Sequence, residues 1–243
     1  LDLAASTVGG NLDATATAGN ISNSGALNVT GNATFTAATG QSIDLSNAGN
    51  NFGGTLAFVG TGGNLNNVTI TDTTALDLQA LTLTGNLTAV AGGDITDSGT
   101  LTIGGTSSFT TNANNGNIDL GTLASTGAVT LNTNGTGNAT VVNAGALDLA
   151  ASTIGGNLVA SSDTGISDSG TLTVAGTSSF TTTANNGAID LGTLASTGAV
   201  TLNTHGTGNA AVVNATALDL AASSIGGDLV ATVTTGDITD SGN

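Results

Sequence analysis

Any chemistry in this chain has to come from carboxylates, hydroxyls and one imidazole. Its 243 residues hold 16 acidic side chains, all Asp, and a single His, with no Lys, Arg, Cys, Met, Trp or Tyr. Two carboxylate pairs stand out, Asp94 with Asp97 and Asp237 with Asp240, each inside the string DITDSG. Glycoside hydrolysis uses such a pair, one group as acid and the other as base or nucleophile. Here the pairs lie beside bends in repeated sequence with no Trp or Tyr to hold a sugar, which points to carboxylates capping backbone N–H groups. Polyuronate lyase chemistry wants a cationic stabiliser, and there is none. Weak Ca2+ binding is the metal chemistry that hard oxygen donors offer, with Asp94, Asp97, Asp237 and Asp240 as the candidate ligands, although the Gly-rich nonapeptide calcium pattern is absent.

The remaining candidates dissolve on inspection. His205 stands where Asn134 stands in an otherwise matching NTNGTGN stretch, so it reads as a turn substitution. Ser is abundant, but no His–Asp partner recurs beside it for nucleophilic catalysis. GTGGN and NNGN lack the Lys and the strand–helix setting of a phosphate loop. No catalytic residue and no resident cofactor is expected, and the chain is not expected to be an enzyme.

Positioning elements follow from composition. A hydrophobic fraction of 38% with mean hydropathy +0.27 favours folding, but five Phe and no other aromatics argue against one compact core. A net charge of −16 without one cation excludes the footprint of nucleic-acid binding and disfavours docking on anionic membranes. No apolar run approaches the ~20 residues of a membrane helix, so membrane insertion is not expected. The absence of Cys is compatible with a chain kept unfolded for export. It begins without Met, inside a repeat, and reads as a processed or partial segment.

Internal repetition decides the fold class. Asn114–Ala144 returns almost unchanged as Asn185–Ala215, an offset of 185 − 114 = 71 positions. LDL recurs at Leu1, Leu76, Leu147 and Leu218, so a single continuous domain, 1–243, divides into long repeats of approximately 1–75, 76–146 and 147–217 and a partial repeat, 218–243. Apolar residues alternate with a period of two, separated by Gly, Asn, Ser and Thr, and these compositions do not sustain helices. Three patches per short unit, and three short units per long repeat, predict an all-β, right-handed parallel β-helix (β-solenoid) of about ten turns of roughly 24 residues, with three short strands per turn. First patches at Leu147, Leu172, Leu194 and Leu218 form one expected column, second patches around Leu158, Phe180 and Val200 another, and third patches at Ile166, Ile189 and Val212 the last. Leu147, Leu149 and Ile189 should face inward and Asp148 outward. Phe35, Phe109 and Phe180 should fill the core. Along the first column Asp148 would be followed by Thr173, a residue near Ala195 and then Asp219, spacing carboxylates ~14 Å apart, beyond the ~8–10 Å screening length.

Strings such as GALDLAASTIGGNLVASSDTGISDSGTLTVAGTSSF, Gly145 to Phe180, and DITDSGTLTIGG, Asp94 to Gly105, resemble the filamentous-haemagglutinin-like repeats of large bacterial exoproteins and adhesins. The resemblance spans the chain. It implies a secreted right-handed β-helix, exported by two-partner or autotransporter-type secretion and displayed at the cell surface, and it carries over no site residues. The expectation is therefore an extracellular structural or adhesive rod, a filament segment continued by more repeats or by a second copy stacked head to tail, since Asn243 would leave the next turn to begin where Leu1 begins. Host-surface or matrix glycans are the expected ligands if it adheres. The alternatives are a carbohydrate-binding or carbohydrate-active β-helix module and an ice-binding solenoid. The last needs Thr-x-Thr on one face of nearly every turn, and the first-patch positions place LDL, LTV and LAS there instead.

Overall fold

The computed structural model describes residues 1–242, and among these every element is a strand. Asn243 lies outside the described residues. Two 14-stranded sheets and one three-stranded sheet account for all strands, and strand pairs are parallel throughout, for example Leu87–Ala91 on Val68–Asp72 and Leu158–Ser162 on Ala139–Asn143. The chain is a parallel β-solenoid of about 11 turns with about 21 residues per turn.

Alternation works as period-2 patterning requires. Leu147, Leu149 and Ile189 are buried, as are Phe35, Phe109 and Phe180. Phe35 stacks on Phe58 at 6.2 Å and meets Phe52 edge-on at 5.9 Å, so the early turns hold an aromatic cluster that later turns replace with single Phe residues. Corners are tight enough that a Cβ on Gly127 would strike the Gly105 carbonyl one turn below, which is why Gly stacks there. Asn115 and Asn186 occupy the left-handed region, φ 65 and 64, in the NNG turns, a conformation Asn tolerates better than most residues.

The observed turns are shorter and more numerous than the ten expected. Each turn consists of one long strand of about five residues facing a bent side made of two strands of about three. The long strand does not stay on one side. It lies on the back at Leu12–Ala16, Ala33–Ala38 and Leu56–Thr61, then on the front from Val68–Asp72 to Val129–Asn132, then on the back again from Ala139–Asn143 to Val200–Asn203. Above Val129–Asn132 the front splits, with Leu149 on Val129 and Thr153 on Asn132. From Ser107–Thr111 the front sheet climbs through Val129–Asn132, Leu147–Leu149 and Gly165–Asp168 before the chain crosses to Ser178–Thr182 on the back. Three and a half turns thus span 178 − 107 = 71 positions, about 20 per turn, a length that suits one five-residue and two three-residue strands with their corners.

The columns change accordingly. Second and third patches stack as expected, Phe180 under Leu202 and Ile189 on Ile166, but the first column holds only between Leu172 and Leu194: Leu147 lies under Ile166, Leu172 stacks on Ser152, and Leu194 lies under Asn214. Asp148 is followed by Ser167 and then Asp190, and Asp77 by Thr96 and then Asp119. Same-column carboxylates are thus two turns apart, about 10 Å rather than about 14 Å, close to the screening length. A Ser or Thr separates each pair; Thr96 Oγ1 donates to Asp77 Oδ1 at 3.2 Å and Ser22 Oγ to Asp2 Oδ1 at 3.3 Å, whereas Asp148 Oδ1 has no hydrogen-bond partner among the described residues.

Outward positions of the long strands form two ranks on each face. On the front, Thr69, Thr88, Ser108 and Thr130 stack in one rank and Thr71, Val90, Thr110 and Asn132 in the other. On the back, the ranks are Thr140, Val159, Ser179, Thr201 and Val142, Ser161, Thr181, Asn203.

Candidate functional site

Asp94 immediately precedes the strand Ile95–Asp97 and Asp97 ends it, and both carboxylates are taken up by backbone of the turn above. Asp94 Oδ1 accepts the Asn117 N–H at 2.7 Å. It heads a corner ladder in which Asn117 Oδ1 accepts from Asn138 N, Asn138 Oδ1 from Asn157 N and Asn157 Oδ1 from Thr177 N, all at 2.8–2.9 Å. Each side-chain oxygen satisfies a corner N–H of the next turn. Asp97 caps a bulge: its oxygens accept Gly121 N at 2.8 Å, Thr122 N at 2.9 Å and Thr122 Oγ1 at 3.1 Å, where the register of Ile118–Ser125 shifts against Ala139–Asn143. Asp168 repeats this on Gly192 and Thr193. Asp237 and Asp240 are exposed, and Asp240 Oδ1 accepts Gly242 N at 2.9 Å. Among the described residues no three His, Cys, Asp or Glu side chains converge as a metal cluster would require. His205 is exposed in its turn, and its carbonyl accepts Asn186 N at 2.9 Å.

Shallow grooves of about 260 and 200 Å³ flank the two bulges, one walled by Gly121, Thr122, Val142 and Asp163, the other by Gly192, Thr193, Val213 and Thr234. The corresponding residues are 71 positions apart, so the grooves are one feature of the repeat. A larger cavity, about 350 Å³, opens among Leu220, Ile225, Leu229 and Ile238 where the last turns expose the interior.

One ionisable group was not singled out by its sequence pattern. Asp72 is buried at 2% exposure, and burial pushes its carboxyl above the ordinary value against the opposing hydrogen bonds from Thr74 N, Thr74 Oγ1 and Phe52 N. The long repeat carried the signal, since the equivalent positions are Asn143 and Asn214. Asn143 Oδ1 accepts Ser125 N at 2.8 Å, and its Nδ2 donates to the carbonyls of Ser125 and Ala146. A carboxylate in that place cannot donate.

No curated protein and no solved structure matches the chain. A family of repeats matches in four blocks, residues 1–59, 65–132, 136–203 and 207–243. The later blocks begin at 65, 136 and 207, the same period as the last LDL repeats with a different origin. The second and third blocks close at Asn132 and Asn203, where a long strand ends and its face splits. With these blocks covering nearly all of its length, the chain belongs to the family described as Repeats of unknown function (DUF5649).

Proposed function

We propose that the chain is a segment of an extracellular structural rod, the shaft of a secreted filamentous adhesin or cell-surface fibre. The observation that carries this reading is the unbroken parallel ladder from one end of the solenoid to the other, a stiff element of about 50 Å at ~4.8 Å per turn. The likeness of its repeats to the filamentous-haemagglutinin type supports secretion and surface display. The acidic, cation-free surface supports solubility outside the cell and no nucleic-acid partner. End-to-end continuation, by further repeats or another copy, fits an architecture in which each turn templates the next.

The same geometry supports a non-enzymatic role with no resident cofactor, because the carboxylate oxygens best placed for acid–base work, those of Asp97, are spent on backbone N–H groups. Immunoelectron microscopy with antibodies to this segment tests the reading on the native protein. Label along fibres outside the cell is expected, and label confined to the cell interior would overturn it. Release of reducing ends from a panel of polysaccharides, lost in Asp97→Asn, would overturn the non-enzymatic role.

A further inference from the structure

The two central runs of long strands keep charge off their outward faces, whereas Leu12–Ala16 near the start of the rod carries Asp13 outward. In the front run from Val68–Asp72 to Val129–Asn132 and the back run from Ala139–Asn143 to Val200–Asn203, all outward positions are Thr, Ser, Val or Asn, while Asp77, Asp119, Asp148 and Asp190 stand on the bent sides. Five valines dominate the exposed large apolar residues, and all five, among them Val142 and Val159, point outward from long strands. Thr-x-Thr itself occurs on one of these eight strands, at Thr69 and Thr71, and each of the other seven presents at least one outward Thr or Ser, on a side the linear pattern did not isolate.

The hydroxyls of these ranks are also unengaged. Corner hydroxyls such as Thr111, Thr133 and Thr182 donate to backbone carbonyls, whereas those of Thr69, Thr88, Ser108, Thr110 and Thr130 make no hydrogen bond among the described residues. They project at about 4.8 Å along the rod and about 6.6 Å across it, on a backbone whose ladder holds both spacings. Each face covers about 300 Å² by these spacings, well under the ~800 Å² per partner of a stable protein interface, so a second copy or a globular partner is poorly matched. A neutral, rigid lattice of hydroxyls and methyls suits a partner that is itself a periodic, uncharged lattice of donors and acceptors. The lack of any exposed aromatic residue favours solid water over a crystalline polysaccharide, whose sugar rings call for stacking surfaces.

We infer that the long-strand faces are ice-binding surfaces, the front one centred on Ser108 and Thr110 and the back one on Ser179 and Thr181. The inference goes beyond the rod reading and does not depend on where the rod resides. The test is to freeze a dilute solution of the chain slowly onto a cold surface and measure the share incorporated in the ice, alongside sedimentation with microcrystalline cellulose and chitin. Enrichment in ice is expected, falling at least about tenfold in the double variant Thr110→Asp with Thr181→Asp. Thr173→Asp, on a bent side, should leave it unchanged. Matching circular dichroism and thermal melts establish that the variants fold. Exclusion of the unmodified chain from ice, equal incorporation of the folded double variant, or binding to the polysaccharides with none to ice would each overturn the inference.

Discussion

Phe109 and Phe180 occupy the same place in identical SSFTT strands one long repeat apart, and they lie on opposite faces of the rod. Because the long repeat is three and a half turns, each copy is turned by half a revolution relative to the one before. A surface feature encoded once per repeat therefore appears alternately front and back, as the paired bulge grooves do.

The inward and outward assignment is tested at adjacent residues. Leu149→Asp places a charge at a fully buried site and should cost at least about 3 kcal/mol. Asp148→Asn, on the outward side of the same strand, should change stability by less than about 0.5 kcal/mol. Chemical denaturation of both variants measures the contrast, and equal effects would show the pleat to be reversed.

Asp72 should make stability fall as pH rises. Its carboxyl is raised above the ordinary value of 3.8 in the folded state, so the folded chain holds the proton more tightly. Its stabilising contribution is complete below the unfolded value and is lost as pH climbs through the raised folded one. Asp72→Asn, which restores the residue found at positions 143 and 214, should raise the melting temperature at neutral pH and flatten this part of the pH profile. A melting series from acid to neutral pH on both proteins decides it; an unchanged profile would mean Asp72 is not the group responsible.

Asn214 bridges two turns at a buried corner, accepting Ser196 N at 2.9 Å and donating to the carbonyls of Ser196 and Ala217. Asn214→Ala leaves these backbone groups without partners and should cost about 2–3 kcal/mol. Asn214→Asp should also destabilise at neutral pH, with relief in acid. Chemical denaturation measures both, and an Ala variant as stable as the parent would show that water replaces the bridge.

Asp97 as a bulge cap predicts local opening. In Asp97→Ala, amide exchange should accelerate at Gly121 and Thr122 while Gly192 and Thr193, capped by Asp168, keep their protection. Millimolar Ca2+ should shift the melting temperature of the unmodified protein no more than Mg2+ at equal ionic strength; a calcium-specific shift abolished in this variant would identify Asp97 as a ligand instead.

The sequence by itself determined that this chain is a parallel β-solenoid, that LDL and IDL turn their aliphatic residues inward, and that from Leu76 onward the long repeat returns every 71 positions. Strand alternation has a period of two set by the pleat, and stacking of turns selects small, β-branched and Asn-rich composition, so both leave direct traces in the residues. The number of turns within one long repeat leaves no such trace. A patch such as LTL reads the same whether it is half of a bent side or a side of its own, and only packing one five-residue strand against two three-residue strands fixes three and a half turns instead of three. That half turn then decides which residues share a column: Asp148 with Asp190 instead of Asp219, Thr88 with Ser108 and Thr130 on a charge-free face, and Asp72 at a buried corner that its sister repeats fill with Asn.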